Sequence, residues 1–414
     1  MKKEILLSCF IFCTVILKAQ FTVYNTSNSG IGANNCYCIN LNAANEVWVS
    51  TQTDGANVFN GNSWTHYNTS NTSLQSDYLT SVFFDQAGNT WTGSYSGTGG
   101  LSKYNGSTWT VYTSANSGLT GNDITDITAD NSGRIWIATR FNGVCVFDGS
   151  SWLVYNTGNS LLLDNQIYSI EADPSGNIWI GSAAAGLYKY NGISWTSYNT
   201  TNSNIPGNNI YSLKYNSTSN TLWVGTSNGL GVLDVAGSAW TVYTTANSGI
   251  SSDYIRDVSF SPVTGDTWIA TGFNGISKLS GTTWSVYNMA NSNIPSNGIW
   301  AIKTTANGNV WAATWGGGIV TINEKPTAIN KQKGLQQQVF NLYPNPNNGS
   351  FTLNNASFNN YTLNVADLLG RIIHTQEIYP GTNQVHSKII GSGIYSYSIT
   401  DNTGQTNRGK FIAR

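Results

Sequence analysis

Three histidines occur in the 414 residues, His66, His374 and His386. His66 stands alone in a repeated region, and the other two fall near the C-terminus, so the repeat offers no histidine pair for a metal. A Ser-His-Asp triad would have to use His66, whose position recurs as an ordinary strand residue. The turns "DPSGN" and "DNSGR" hold too few carboxylates for a calcium loop. Asp126 and Asp257 take equivalent places in two repeats and are the one carboxylate pair suited to acid–base work. Cys36, Cys38 and Cys145 make an odd set, which is no disulfide framework and reads as buried small apolar residues. No catalytic residue, metal or cofactor is therefore assigned.

Binding chemistry is better represented. Tyr95, Phe141, Phe273 and Trp315 stand at corresponding glycine-flanked turns, with Arg140 beside Phe141. A second row, one residue into a strand, reads Tyr37, Thr80, Thr125, Tyr168, Tyr211, Arg256 and Trp300. Rings with an apolar face and a polar tip suit stacking on a sugar or a peptide. Residues that vary on a constant frame are not explained by the frame, so Tyr95, Arg140, Phe141, Arg256, Phe273, Trp300 and Trp315 are the candidate ligand contacts. Packing between repeats is the competing explanation, above all for Tyr37, Tyr168 and Tyr211.

The frame itself is a repeat. Trp48, Trp91, Trp136, Trp179, Trp223, Trp268 and Trp311 recur every 43–45 residues in a "W-x-x-T/S" motif. Trp64, Trp109, Trp152, Trp195, Trp240 and Trp284 recur at the same period in a second motif, "SWTxY" and its variants. One unit, residues 165–207, reads as four short strands broken by turns: "IYSIEA", "IWIGS", "GLYKY" and "SWTSYN". Four strands in about 44 residues is the period of a propeller blade. Seven second strands but six outer "SWT" strands follow this scheme. The opening "FTVYNTSNSG" matches "WTVYTTANSG" and supplies the missing one. The row Asn34, Asp77, Asn122, Asn165, Asn208, Asp253 and Asn297 ends each long loop and suits turns capped by a side chain.

Composition agrees. Charged residues are 9% against a typical ~25%, and aromatics are 12%, which excludes charge-rich disorder. A net charge of −1 with no basic run excludes nucleic acid as a partner. Lys2 and Lys3, the apolar run Ile5–Leu17 and "KAQ" have the form of a signal peptide cut near Ala19. No later stretch is long and apolar enough to span a bilayer. Residues 21–323 carry 8 Lys/Arg and 15 Asp/Glu, while residues 324–414 carry 8 and 4, as separate domains would. The net −7 of the repeat argues against an acidic polymer as ligand.

The unit "N-x-I-x-x-I…D-x-x-G-N-I-W-I-G-T-x-x-G-L-x-x-Y-x-G-x-S-W-T-x-Y" resembles the two-component-regulator propeller repeats of Bacteroidetes sensors. No sensor context follows it, so signalling is not implied. The histidine count also sets it apart from streptogramin-lyase-like propellers. The C-terminal segment resembles the sorting domain of the type IX (Por) secretion system through Tyr343, Pro344, Asn345, Pro346, Gly349 and Phe351, then Asp367, Gly370 and Arg371, then Gly393, Ile394 and Tyr395, and finally Gly409, Lys410 and Phe411. That resemblance implies a small β-sandwich that addresses its cargo across the outer membrane.

The expectation is thus an all-β chain: a signal peptide at 1–19, a seven-bladed β-propeller at 20–323 closed by the N-terminal strand, a linker at 324–338, and a sorting β-sandwich at 339–414. It is a monomer, secreted or held at the outer-membrane surface, whose partners are the type IX machinery and a glycan or peptide. The rival functions are a hydrolase or lyase using the channel carboxylates, and a structural or adhesive surface protein.

Overall fold

Apolar residues at alternating positions make short strands, and glycine, asparagine and aspartate end them. The computed structural model describes residues 20–323, 341–344, 350–355, 360–386, 391–401 and 406–413, and every regular element there is a β-strand. The expected signal peptide and linker lie outside the described residues. The chain divides into two compact units, Met1–Pro326 and Thr327–Arg414.

The first unit holds seven four-stranded antiparallel sheets with propeller-like blades. Six take consecutive strands, as in Ile167–Ala172, Ile178–Ser182, Leu187–Tyr190 and Trp195–Tyr198. The last holds Ile299–Thr304, Val310–Thr314 and Ile319–Asn323, with Gln20–Tyr24 as its outer strand. Phe21 stands opposite Ile322 and Tyr24 opposite Ile319. Each sheet is open, and none closes on itself. Inner strands pack on inner strands, with Cys36–Leu41 touching both Leu79–Phe84 and Ile299–Thr304.

The two tryptophan series fill the space between blades. Trp136 stacks on Tyr155 of its own sheet at 5.7 Å and also packs against Ile167, Ile170 and Ile178 of the next. Trp311 stacks on Tyr24 at 5.7 Å, so the N-terminal strand supplies the same partner. A buried indole N–H needs an acceptor. Asp85, Asp130 and Asp173, first in their turns, accept from Trp91, Trp136 and Trp179 at 2.8–2.9 Å.

The turn from second to third strand explains the terminal Thr or Ser of "W-x-x-T/S". Thr314 donates its hydroxyl to the Gly318 carbonyl at 2.8 Å, and the Gly318 amide donates to the Asn34 carbonyl at 2.9 Å. Gly318 has φ of +80°, and a Cβ there would sit 2.1 Å from the Tyr24 carbonyl oxygen, so only glycine fits. The loop row is structural, as its repetition implies. Each Asn or Asp side chain accepts the amide eight residues earlier at 2.7–2.9 Å, from Thr26→Asn34 to Met289→Asn297.

The second unit has a three-stranded sheet (Asn341–Tyr343, Ser350–Asn355, Gly381–His386) and a four-stranded one (Ile372–Ile378, Tyr361–Ala366, Gly393–Asp401, Thr406–Ala413). Phe351, Leu353 and Val385 of the first sheet and Leu363, Val365, Ile378, Ile399 and Phe411 of the second share one apolar core.

Candidate functional site

Each inner strand carries a bulge between its first and third residues, for example between Cys36 and Cys38, Ile124 and Asp126, and Ile255 and Asp257. A bulge breaks strict alternation and re-aims a side chain. The second and third residues of the strand therefore both line one cavity of about 750 Å³, enclosed by all seven inner strands.

At the mouth, the second residues and the loops beside them form an aromatic belt. Tyr37 lies 5.0 Å from Trp300 and 5.9 Å from Trp315, which are 5.5 Å from each other. Tyr78 donates a hydrogen bond to the Tyr37 hydroxyl at 2.6 Å and meets Tyr95 at 5.2 Å. Arg140 lies over Tyr95 at 4.4 Å and Phe141 at 5.0 Å. Arg256 lies over Trp300 at 3.7 Å and Tyr211 at 5.2 Å. Tyr211 continues to Tyr168 at 5.6 Å and to Tyr254 at 4.7 Å. In the two units where the second residue is Thr80 or Thr125, its hydroxyl is spent on the Ile124 or Ile167 carbonyl of the next inner strand.

Of the seven candidate contacts, Tyr95, Arg140, Arg256, Trp300 and Trp315 line the cavity. Phe141 and Phe273 do not. They are 56% and 70% exposed, outside the mouth, with Phe273 against Tyr254 at 5.3 Å. Tyr78 and Tyr254 belong to the belt and escape the sequence reading. They sit just before the inner strand, where other units have Asn35, Asp123, Gln166, Asn209 and Gly298; that variability was the signal.

Deeper in, the carboxylates have structural work. Asp126 accepts the Ile170 amide and the Ser169 hydroxyl at 2.9 Å on the neighbouring inner strand, and the Ile127 amide on its own. Asp257 accepts the amides of Ile302 and Val258 at 2.8 Å. Burial pushes the Asp126 carboxyl up to about 6 against the pull of these amides, and raises Asp257 too. Below them Glu171 pairs with Lys214 at 3.5 Å, and the Glu171 charge raises that lysine. Burial, then the Lys214 charge, brings the Lys303 ammonium down to about 8. Sequence reasoning missed this girdle, although a charge at the fifth place of an apolar strand was its mark. His66 contacts Asp54 at 2.5 Å on an outer strand. Among the described residues, no group of three or more His, Cys, Asp or Glu is placed to hold a metal ion, and no helix is long and apolar enough to cross a membrane.

In the second unit the sorting-motif residues divide. Phe351 is buried against Phe411 at 4.9 Å. Gly370 has φ of +80° in a turn tied by Asp367 to Arg371 at 2.7 Å. A Cβ on Gly409 would meet the Tyr397 ring at 2.4 Å. Tyr343, Pro344 and Lys410 are exposed. Asn345, Pro346 and Gly349 lie outside the described residues.

Residues 341–414 match the family model of the secretion system C-terminal sorting domain, and residues 118–141 and 161–184 match that of the two component regulator propeller. The chain carries regulator-propeller repeats and a type IX sorting tail. The tail sends this propeller protein to the cell surface or beyond. No curated protein matches it. Among solved structures, it is 21% identical to the extracellular domain of a B. thetaiotaomicron protein described as a hybrid two component system, with a TM-score of 0.64 over 95% of this chain and 57% of that one. PorZ, an essential surface component of the type IX secretion system of Porphyromonas gingivalis, is 16% identical at TM-score 0.60, over 94% and 61%. Streptogramin B lyase is 15% identical at TM-score 0.58, over 74% and 97%. At these identities the likeness is one of fold. The propeller protein spans about three fifths of the first two structures' lengths.

Proposed function

We propose that residues 20–323 form a seven-bladed propeller ring closed by the N-terminal strand, and that its aromatic mouth binds a glycan or peptide without catalysis. Closure is supported by the pairing of Gln20–Tyr24 with Ile319–Asn323 and by the hydrogen bond from Gly318 to Asn34. Binding rests on one observation. Tyr95, Arg140, Arg256, Trp300 and Trp315, which vary between units, line one cavity, while the side chains that repeat are spent on packing and turns.

The hydrolase or lyase reading loses support where it needs it, because the oxygens of Asp126 and Asp257 already accept backbone amides. The protein acts as a monomer at or beyond the outer membrane, and its tail engages the type IX machinery. A glycan and peptide array probed with the full mature chain tests the binding reading. Saturable signal on a defined set of ligands is expected. Silence on both arrays, with only adhesion to cells, would move the protein to the adhesive class.

A further inference from the structure

Arg256 occupies an unusual place for a cation. Its guanidinium lies over Trp300 at 3.7 Å, with Tyr211 and Tyr254 at 5.2 and 5.9 Å. Among the described residues its one hydrogen bond runs from Nη1 to the Tyr254 hydroxyl at 3.4 Å. Its Nε is buried and without a partner. No ion pair to it is found among the described residues, although Asp257 follows it in the chain. Asp257 turns its two oxygens to the amides of Val258 and Ile302 instead. A stacked guanidinium still offers its N–H edge, and that edge matches a carboxylate in a two-point contact.

We infer that the ligand of the mouth carries a carboxylate on a sugar ring, and that Arg256 receives it. This rests on the reading that the mouth binds a ligand. Two further observations favour a sugar acid over a peptide terminus. The rings of Tyr37 and Trp315 pack against Trp300, over which Arg256 lies, and the Tyr37 and Tyr78 hydroxyls stand next to them, which suits the apolar face and hydroxyl rim of a pyranose. An extended peptide would pair with the inner strands' free edges. Side chains already occupy edge amides at Ile170, Leu213, Tyr215, Ile302 and Thr304. One carboxylate on an otherwise neutral glycan is compatible with the propeller's overall negative charge, whereas a polyacid is not.

The test uses the full mature chain and matched pairs: glucuronides against glucosides, galacturonides against galactosides, and each uronic acid against its methyl ester. Free-acid and amidated peptides form a separate arm. The acids should bind about ten- to hundred-fold more tightly than their neutral partners. Esterification should abolish the difference, which requires no change to the protein. Arg256→Gln, at unchanged melting temperature, should bring acids and neutral sugars to the same affinity, with Arg256→Lys between. Equal binding of acids and esters would overturn this inference and leave the binding reading standing. A response confined to free-acid peptides would also overturn it. Binding of no sugar and no peptide would remove both.

Discussion

Asp126 has the residue type for acid–base work, and in the structure it fastens one inner strand to the next. It caps an amide on the next inner strand, and burial raises its carboxyl to about 6. A carboxyl that binds its proton more tightly in the folded state than in the unfolded chain, near ~3.9, favours folding in acid. That contribution is fully present below pH ~4 and fades as pH rises to about 6. Asp130 works the other way. Burial raises it, but hydrogen bonds from Trp136 and Arg134 outweigh burial and hold it below the ordinary range. Its stabilisation is lost only as the pH falls below ~4. Melting temperature measured between pH 4 and 7 should therefore fall with rising pH, and Asp126→Asn should flatten that slope. An unaltered slope in the variant would assign it to another group. The fate of Asp126 was not legible in the sequence, because its partners on the neighbouring strand, the Ser169 hydroxyl and the Ile170 amide, lie 43 and 44 residues away.

At the scale of the element, the sequence shows what repeats and hides what bends. The two tryptophan series and the match of "FTVYNTSNSG" to the later outer strands are enough to place the sheets and the N-terminal strand's partner. The bulge in every inner strand leaves no such mark, and it is what turns two successive residues toward the cavity. It joins Asp126 and Asp257 to the wall, whereas the corresponding turn residues divide, with Tyr95 and Trp315 lining the cavity and Phe141 and Phe273 outside it. Turn geometry yields a sharper prediction. Gly316→Ala and Gly318→Ala both place alanine at φ near +80°. At 316 the nearest atom to the new Cβ is Asn35 Oδ1 at 3.8 Å, whereas at 318 it is the Tyr24 carbonyl at 2.1 Å. Gly316→Ala should cost about 1 kcal/mol and Gly318→Ala about 2 kcal/mol or more. Amide exchange in Gln20–Tyr24 should rise only in the second. Equal effects would mean that the N-terminal strand is not held at this turn.

For the whole molecule, the proposed ring and the sorting tail can be tested apart. Deleting residues 20–27 should uncover the edge of Ile319–Asn323, lower the melting temperature and promote association through the unpaired strand. A deletion variant that melts like the parent and stays monomeric would refute closure. Removing residues 340–414 should leave a folded propeller retained in the periplasm of a type IX-competent host. Its appearance in the medium would contradict the role of the tail. If the mouth is the binding surface, Trp315 should be an anchor of it, being 45% exposed, edge-on to Tyr37 and tilted against Trp300. The decisive measurement is the affinity of the full chain and of Trp315→Ala for the array's strongest glycan or peptide, with melting temperatures in parallel. Binding should weaken about 30-fold with little change in melting; unchanged affinity, or a large loss of stability in its place, would rule out the mouth as the binding surface.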